Sequence, residues 1–504
     1  MHAAPLAQTA PVVKTNRGSV EGTVADGISV FKGIPFAAPP VGELRWREPQ
    51  DAAAWQGVRK ADAFSKACMQ NPDAAELGGQ PNPGPISEDC LYLNVWTPTT
   101  GVSTTVKRPV MVWIYGGAFV IGAATLPGYD GVPLAKKGAV VVSFNYRLGA
   151  LGFFAHPALE KENPAGPVNF GLFDQVAALK WVQKNIAAFG GDPNNVTIFG
   201  ESAGAQSVLS LFASPMARGL FHKGIAESIY GIPEFTRAQA IQTGVNVASA
   251  VGLKGATATA EELRALPAER FAKVEGVGTS LAPVAVVGDA VLPQSILDTF
   301  GKGQEAPVPL IIGSNSDEAT VATGFGINPA ALIKQLGVAR VAVKALYPGV
   351  KDDGQLGSDL IRDLVFVAPA RKLATLHSKH APAWRYYFSH VPIGLQKEWA
   401  GGVPHGGEIP FVFSTLNLEA AWQGKINDAD RELSRRVTDY WFEFARTGAP
   451  ASTGGPAWPK HDARNDKLME FGDTAAMRTN FSRTRLSLFD ALYPKVLALV
   501  FARK

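Results

Sequence analysis

The chain has 504 residues, of which 46% are hydrophobic and 18% charged. That profile excludes a mainly disordered chain and describes a compact protein with a sizeable core, long enough to bury most of its apolar surface without staples. A net charge of +4, with no run of Lys and Arg that would track a phosphate backbone, argues against nucleic acid as a partner.

The first residues, Met1-His2-Ala3-Ala4-Pro5, lack the basic start and apolar run of a signal peptide and read as a mature chain with an added methionine. No stretch approaches the ~20 apolar residues that span a bilayer. The segment holding Gly18, Gly22, Gly27 and Gly33 reads as small antiparallel strands and turns. Cys68 and Cys90, the two cysteines, flank a Pro/Gly/Asn-rich stretch from Gln70 to Pro85 that reads as a surface loop. A bridge closing it would add ~3 kcal/mol on the chain-entropy view and would point to an oxidising compartment. The residues themselves leave open whether the thiols are free.

Four β-branched runs then punctuate the chain: Val110–Ile114, Val140–Phe144, Val196–Phe199 and Leu310–Ile312. Continuous apolar runs of this length suit strands buried on both faces of a parallel sheet. Between the second and third, Leu172, Val176, Leu179, Val182 and Ile186 recur at helical spacing, and Gly190-Gly191-Asp192-Pro193 stops the helix. Strand, helix, strand in that order is a crossover unit and places the chain in the α/β class. The Ala-rich region from about Glu234 to Lys273 reads as helical and caps the sheet.

Gly200-Glu201-Ser202-Ala203-Gly204 is a G-x-S-x-G sequence. Roughly 0.3 such matches arise by chance in a chain of this composition, so the motif alone decides little. Its setting decides more: it follows the strand Val196–Phe199 and precedes an apolar helix with Val208, Leu209, Leu211 and Phe212. A strand-to-helix turn this tight requires small neighbours and exposes the serine hydroxyl, the nucleophile elbow of α/β-hydrolases. A serine needs a base and a group to hold that base. The fold carries them in the order Ser, acid, His. His405, in Gly402-Val403-Pro404-His405-Gly406-Gly407, is the candidate base, with His377, His380, His390 and His461 as weaker alternatives. The acid follows Leu310–Ile312 and is either Asp317 or Glu318. Gly116-Gly117-Ala118-Phe119, after the first buried run, is the candidate Gly-rich loop that offers N–H groups to an oxyanion.

Two longer segments carry a resemblance: Ser87-Glu88-Asp89-Cys90-Leu91-Tyr92-Leu93-Asn94-Val95, and Phe189-Gly190-Gly191-Asp192-Pro193 leading into Phe199–Gly204. Together the segments resemble the type-B carboxylesterase/cholinesterase family, especially its bacterial para-nitrobenzyl-esterase-like branch, over nearly the whole chain. The resemblance implies one α/β-hydrolase domain over residues 1–504, a large mostly parallel sheet with helices on both faces, and helical cap insertions near 234–280 and 325–380. It implies Glu318 as the acid, His405 of His-Gly-x-Glu-Ile-Pro-Phe as the base, and Gly117, Ala118 and Ala203 as oxyanion donors. It pairs Cys68 with Cys90 and so implies a secreted or periplasmic protein. The loop reads Gly-Gly-Ala where the family often has Gly-Gly-Gly, which implies poor turnover of tertiary-alcohol esters. No tryptophan lies between the cysteines, so a quaternary ammonium substrate loses its cation–π partner. Glu227-Ser228-Ile229 stands where Gln-Ser-Gly is usual and implies an altered pocket wall; Phe119, Glu201, Tyr230 and Phe411 are further pocket candidates.

The expected activity is hydrolysis of carboxylic esters through an acyl-enzyme on Ser202, losing rate below about pH 6.5 as free imidazole protonates. No His/Cys/carboxylate cluster has ligand spacing, so neither a metal nor another cofactor is expected. The expected partner is a small-molecule ester, the chain being a monomer or weak homo-oligomer. Two rivals are an esterase for polyacid esters such as fumonisin-type side chains and a non-catalytic binding module of the same fold; the presence of all three triad residues argues against the second.

Overall fold

A computed structural model describes residues 10–73, 81–99, 107–231, 234–274, 285–324 and 326–500, with side chains described up to 491. The N-terminal five residues, the middle of the Cys68–Cys90 loop and part of the first cap insertion therefore lie outside the described residues.

The centre is an eleven-stranded sheet. Its strands are β1 (Thr23–Ala25), β2 (Ile28–Pro35), β3 (Tyr92–Pro98), β4 (Arg108–Ile114), β5 (Val140–Phe144), β6 (Gly191–Glu201), β7 (Lys223–Glu227), β8 (Leu310–Asn315), β9 (Ala383–Phe388), β10 (Leu468–Phe471) and β11 (Ala475–Arg478). Their order across the sheet is β11-β10-β9-β8-β7-β6-β4-β5-β3-β2-β1. The run from β5 to β10 is parallel, with antiparallel pairs at both margins. Central strands are covered on both faces: Val110, Met111, Val112, Trp113 and Ile114 have no exposed surface. That is why they read as continuous apolar runs rather than alternating ones.

The helices that matter for the site are α1 (Phe170–Asn185), α2 (Ala203–Ala213), α3 (Arg237–Ala250), α4 (Asp353–Ile361), α5 (Ala368–His377), α6 (Ile409–Phe413) and α7 (Asp428–Thr447). The expected helix from Leu172 to Ile186 is α1, and Gly190 (φ 82°) ends its last, tighter turn in the left-handed conformation that glycine favours. α3 opens the first cap region with a capping box, Thr236 accepting from Gln239 N–H while Gln239 answers the Thr236 N–H. Between α4 and α5 the chain widens into a π-helical turn, Arg362–Val367.

The order of β5, β4 and β6 makes the junction of β4 and β6 the point where successive crossovers turn to opposite sides of the sheet. In open α/β sheets, ligands bind in the crevice outside the carboxyl ends of the strands at such a point. Cys68 and Cys90 form a disulfide, with the Cα atoms 5.0 Å apart.

Candidate active site

Ser202 stands between β6 and α2 with φ 56° and ψ −120°. A side chain in that region is strained and persists only where its surroundings over-determine it. Here the Ser202 N–H donates to Glu227 O of the neighbouring β7 at 2.9 Å, and Ser202 O receives the Gln206 N–H at 2.9 Å. The flanking glycines answer a steric demand: a Cβ on Gly204 would sit 1.9 Å from Ile114 O, and one on Gly200 would sit 2.4 Å from the same atom. The elbow is therefore wedged against the end of β4. Ala203 begins α2, and the first N–H groups of a helix have no acceptor within it.

The loop after β4 folds back on itself. Gly117 O accepts from both Val120 N and Ile121 N at 3.0 Å, and Ala118 (φ 53°) and Phe119 (φ 64°) are held in the left-handed region. Phe119 is buried against Phe153, ring centroids 4.8 Å apart.

The loop after β8 carries the acids. Glu318 has no exposed surface; its Oε1 accepts the Asn315 N–H at 2.7 Å and its Oε2 lies 2.6 Å from His405 Nδ1. Asp317 makes no such contact; its N–H donates to Val403 O at 2.8 Å, and it thereby zips the acid loop to the histidine loop. The zip continues through Val403 N to Ser316 Oγ (2.8 Å), His405 N to Thr320 Oγ1 (3.0 Å) and Asn315 Nδ2 to Pro404 O (2.9 Å). A carboxylate only accepts, so Nδ1 carries the ring proton and Nε2 is left as the basic nitrogen. Nε2 faces Glu201 Oε1 at 3.1 Å, in an orientation that makes no hydrogen bond; among the described residues both atoms are buried without a hydrogen-bond partner. Glu201 and Ser202 both press on Gly116, where a Cβ would meet Glu201 Oε2 at 2.9 Å and Ser202 Cβ at 3.0 Å. The elbow, the histidine and the loop after β4 thus converge on one buried spot.

The charge balance there is unusual. Burial opposes protonation of His405, but Glu201, Glu318 and Glu408 outweigh it and push the imidazole up to about 9. Burial likewise drives Glu201, Glu227 and Glu408 above the ordinary carboxyl range, each reinforced by its acidic neighbours. A histidine ringed by carboxyl groups holds its proton longer than a free imidazole.

The other histidines are occupied elsewhere. His377 is fully buried between Glu305 Oε1 (2.9 Å) and Val308 O (2.8 Å), His390 binds Asp430 at 2.7 Å, and His461 meets Thr375 at 3.0 Å. His380 stands against Gly303, outside this cluster.

The pocket candidates divide. Tyr230 is half-buried and burial, with Glu201 and Glu234 nearby, pushes its phenol up. Phe411 is fully buried and packs on Phe388, His390 and Trp422, a core position. The ring that does face His405 is Phe366, edge-on at 5.3 Å, from the π-helical turn. The expected change of pocket wall at Glu227-Ser228-Ile229 falls inside the protein. Glu227 has no exposed surface and Ile229 is 1% exposed, while Glu227 Oε1 accepts the Trp441 indole N–H at 2.7 Å. Ser228 Oγ donates to Glu408 Oε1 at 3.3 Å. Glu408, within the His-Gly-x-Glu pattern, was the residue that the pattern itself offered and that no spacing argument singled out. Among the described residues, no group of three His, Cys, Asp or Glu side chains could hold a metal ion.

A switch-point crevice, a serine elbow after β6, an acid loop after β8 and a histidine loop after β9 define an α/β-hydrolase. The chain belongs to the carboxylesterase family, whose sequence profile matches residues 9–341 and 351–489. It is a carboxylic ester hydrolase. It is 38% identical over 499 residues to the para-nitrobenzyl esterase of Bacillus subtilis (strain 168), covering 95% of this chain and 99% of that one. It is 37% identical over 483 residues to fumonisin B1 esterase of Sphingopyxis macrogoltabida, covering 91% and 86% respectively. A solved PNB esterase structure superposes with a TM-score of 0.80 at 33% identity, over 95% of this chain and 100% of that one.

Proposed function

We propose that Ser202, His405 and Glu318 hydrolyse esters in two acyl-transfer steps, with Gly117, Ala118 and Ala203 as the oxyanion donors. The observation that carries the reading is the 2.6 Å contact of His405 Nδ1 with Glu318, which leaves a buried Nε2 without a hydrogen-bond partner, 3.1 Å from the carboxyl of Glu201, the residue before the strained elbow serine. In the first step Nε2 takes the Ser202 hydroxyl proton as Oγ bonds to the ester carbonyl carbon. The carbonyl oxygen becomes an oxyanion held by backbone N–H groups, and collapse expels the alcohol, which receives the proton from His405. In the second step water gives a proton to His405 and attacks the acyl-enzyme; the carboxylic acid leaves and Ser202 is reprotonated. Glu318 keeps the tautomer and stabilises the imidazolium; the backbone donors are each worth on the order of 3 kcal/mol in the transition state. Hydrolysis of p-nitrophenyl acetate and butyrate by the wild type and by Ser202→Ala tests this. A fall of several orders of magnitude in kcat is expected; equal, feeble rates in both proteins would sink it.

A narrower reading, esters of polyacids such as those of fumonisin B1, is favoured by the 37% identity to the fumonisin esterase. Faster, salt-sensitive hydrolysis of anionic over neutral esters is its mark; equal rates on both remove it. We also propose that residues 1–504 form one domain with cap insertions at 234–280 and 325–380, and that the Cys68–Cys90 bridge reflects a secreted or periplasmic location. Among the described residues no helix is long and apolar enough to cross a membrane.

A further inference from the structure

The bridged Cys68–Cys90 segment sends one side chain toward the active site. Gln70, next but one after Cys68, is 2% exposed. Its Oε1 accepts the Gly122 N–H at 2.9 Å, while its Nε2 donates to Gly122 O at 2.8 Å and to Cys68 O at 3.0 Å. One amide thus satisfies both backbone polar groups of Gly122, as a neighbouring strand would, and ties them to the backbone of the bridged cysteine.

Gly122 is the far end of the loop after β4. Its φ is +116°, and a Cβ there would strike Tyr115 Cδ2 at 2.6 Å and Gly116 O at 2.7 Å, so the loop closes on its own beginning. The near end is fixed: Tyr146 OH donates to Tyr115 O at 2.8 Å, and the two rings stack at 4.5 Å. Beyond Gly122 the chain is fastened again, Ala124 N–H donating to Asn145 Oδ1 at 3.0 Å. Between these anchors lie Gly117, Ala118 and Phe119, the last two in left-handed conformations that need external restraint.

We propose that Gln70 is a positioning residue for the oxyanion loop: by gripping Gly122 it holds the Gly117 and Ala118 N–H groups where the tetrahedral oxyanion forms. The proposal rests on the assignment of those two residues as donors, and the test separates the two claims. Gln70 touches neither substrate nor reacting atoms. Its removal displaces donors that matter in the transition state more than in the ground state, so it changes kcat and spares KM.

Gln70→Met keeps the length of the side chain and removes the grip. With p-nitrophenyl butyrate, kcat falls about 10- to 100-fold, short of the loss from deleting a donor outright, and KM stays within about twofold. A second measurement uses two inhibitors of the same shape. With a trifluoromethyl ketone, Ser202 Oγ adds to the carbonyl carbon, its proton passes to His405, and the carbonyl oxygen becomes an oxyanion. The matching methyl ketone binds without that charge. The inhibition constant of the trifluoromethyl ketone rises in step with the fall in kcat, while that of the methyl ketone holds. A general loosening of the fold would weaken both ketones and raise KM, and that result overturns the proposal. So does a folded variant with kcat and both inhibition constants unchanged. If wild type itself shows no preference for the trifluoromethyl ketone, the donor assignment fails and the proposal with it; if wild type shows the preference and Gln70→Met retains it, the role of Gln70 alone fails. Should Gln70→Met not fold, Gln70→Glu carries the same test, keeping the bond from Gly122 N–H and losing the one to Gly122 O, with a smaller drop and the same overturning results.

Discussion

Replacing Glu201 with Gln probes the charge balance around His405. The carboxylate oxygen lies 3.1 Å from Nε2. At that separation two unit charges attract by about 1.3 kcal/mol in a water-like dielectric and about 5 kcal/mol at an effective dielectric of 20. One pKa unit corresponds to about 1.4 kcal/mol, so the ionised carboxylate raises the imidazole by at least about one unit. The sign follows from the proposed mechanism: the neutral imidazole acts as the base there, the carboxylate favours the charged form, and its removal lowers the pKa of His405. Under the proposed mechanism the acid limb of kcat/KM is expected above pH 6.5 in the wild type, since the carboxyl groups around His405 push its imidazole up to about 9, and it moves to lower pH in Glu201→Gln, by about one unit where Glu201 is ionised. The assay is p-nitrophenyl acetate hydrolysis between pH 5 and 9.5 at constant ionic strength, corrected for spontaneous hydrolysis. A limb that stays in place, or moves upward, would refute the electrostatic account of this site.

Three further outcomes are expected. Cys68→Ser combined with Cys90→Ser removes a link between residues 22 apart and lowers unfolding free energy by about 3 kcal/mol in denaturant titrations; a loss under about 1 kcal/mol contradicts the chain-entropy account. Gly204→Ala sets a methyl group 1.9 Å from Ile114 O, so the variant loses more than about 3 kcal/mol or displaces the elbow and with it activity. A stable, fully active Gly204→Ala protein would show that the wedge against β4 is wrong. Dialysis against excess EDTA leaves the esterase rate unchanged, since the proposed steps run on Ser202, His405 and water alone; a loss reversed by a divalent ion would require another mechanism.

The sequence was most legible where one physical demand dominated. Val110–Ile114 and Val140–Phe144 are β4 and β5 with the expected bounds or nearly so, because strands buried on both faces must be apolar throughout. β6 runs from Gly191, well before the expected Val196, because the polar stretch Asp192–Asn195 continues the extended chain across a register shift. The elbow was legible from Gly200 and Gly204, whose roles are steric and local. Asp317 against Glu318 was not decidable from spacing, since a shift of one residue chooses which carboxyl reaches His405; only the zipped loops decide it. Phe411 stood out by adjacency to the histidine loop and proved a core residue, whereas Phe366 lies in a π-helical turn whose wider pitch leaves no regular apolar spacing to read. Glu227 and Glu408 ran against expectation in another way: nothing in a pattern of residue types announces a carboxyl group with no exposed surface.

The way the elbow is held has a consequence for synthesis and refolding. The Ser202 N–H donates to Glu227 O, and the proposed base, His405, is held by Glu318, 87 residues earlier in the chain. With the triad as proposed, no stretch of chain ending before the histidine loop contains a working nucleophile, so a nascent or half-folded molecule would carry an unactivated serine. Contacts this distant form late, because closing long loops costs entropy before it is repaid. Reactivity toward an organophosphonate is thus a signal of nearly completed assembly. During refolding it should rise after the far-ultraviolet circular dichroism of the strands and helices has recovered.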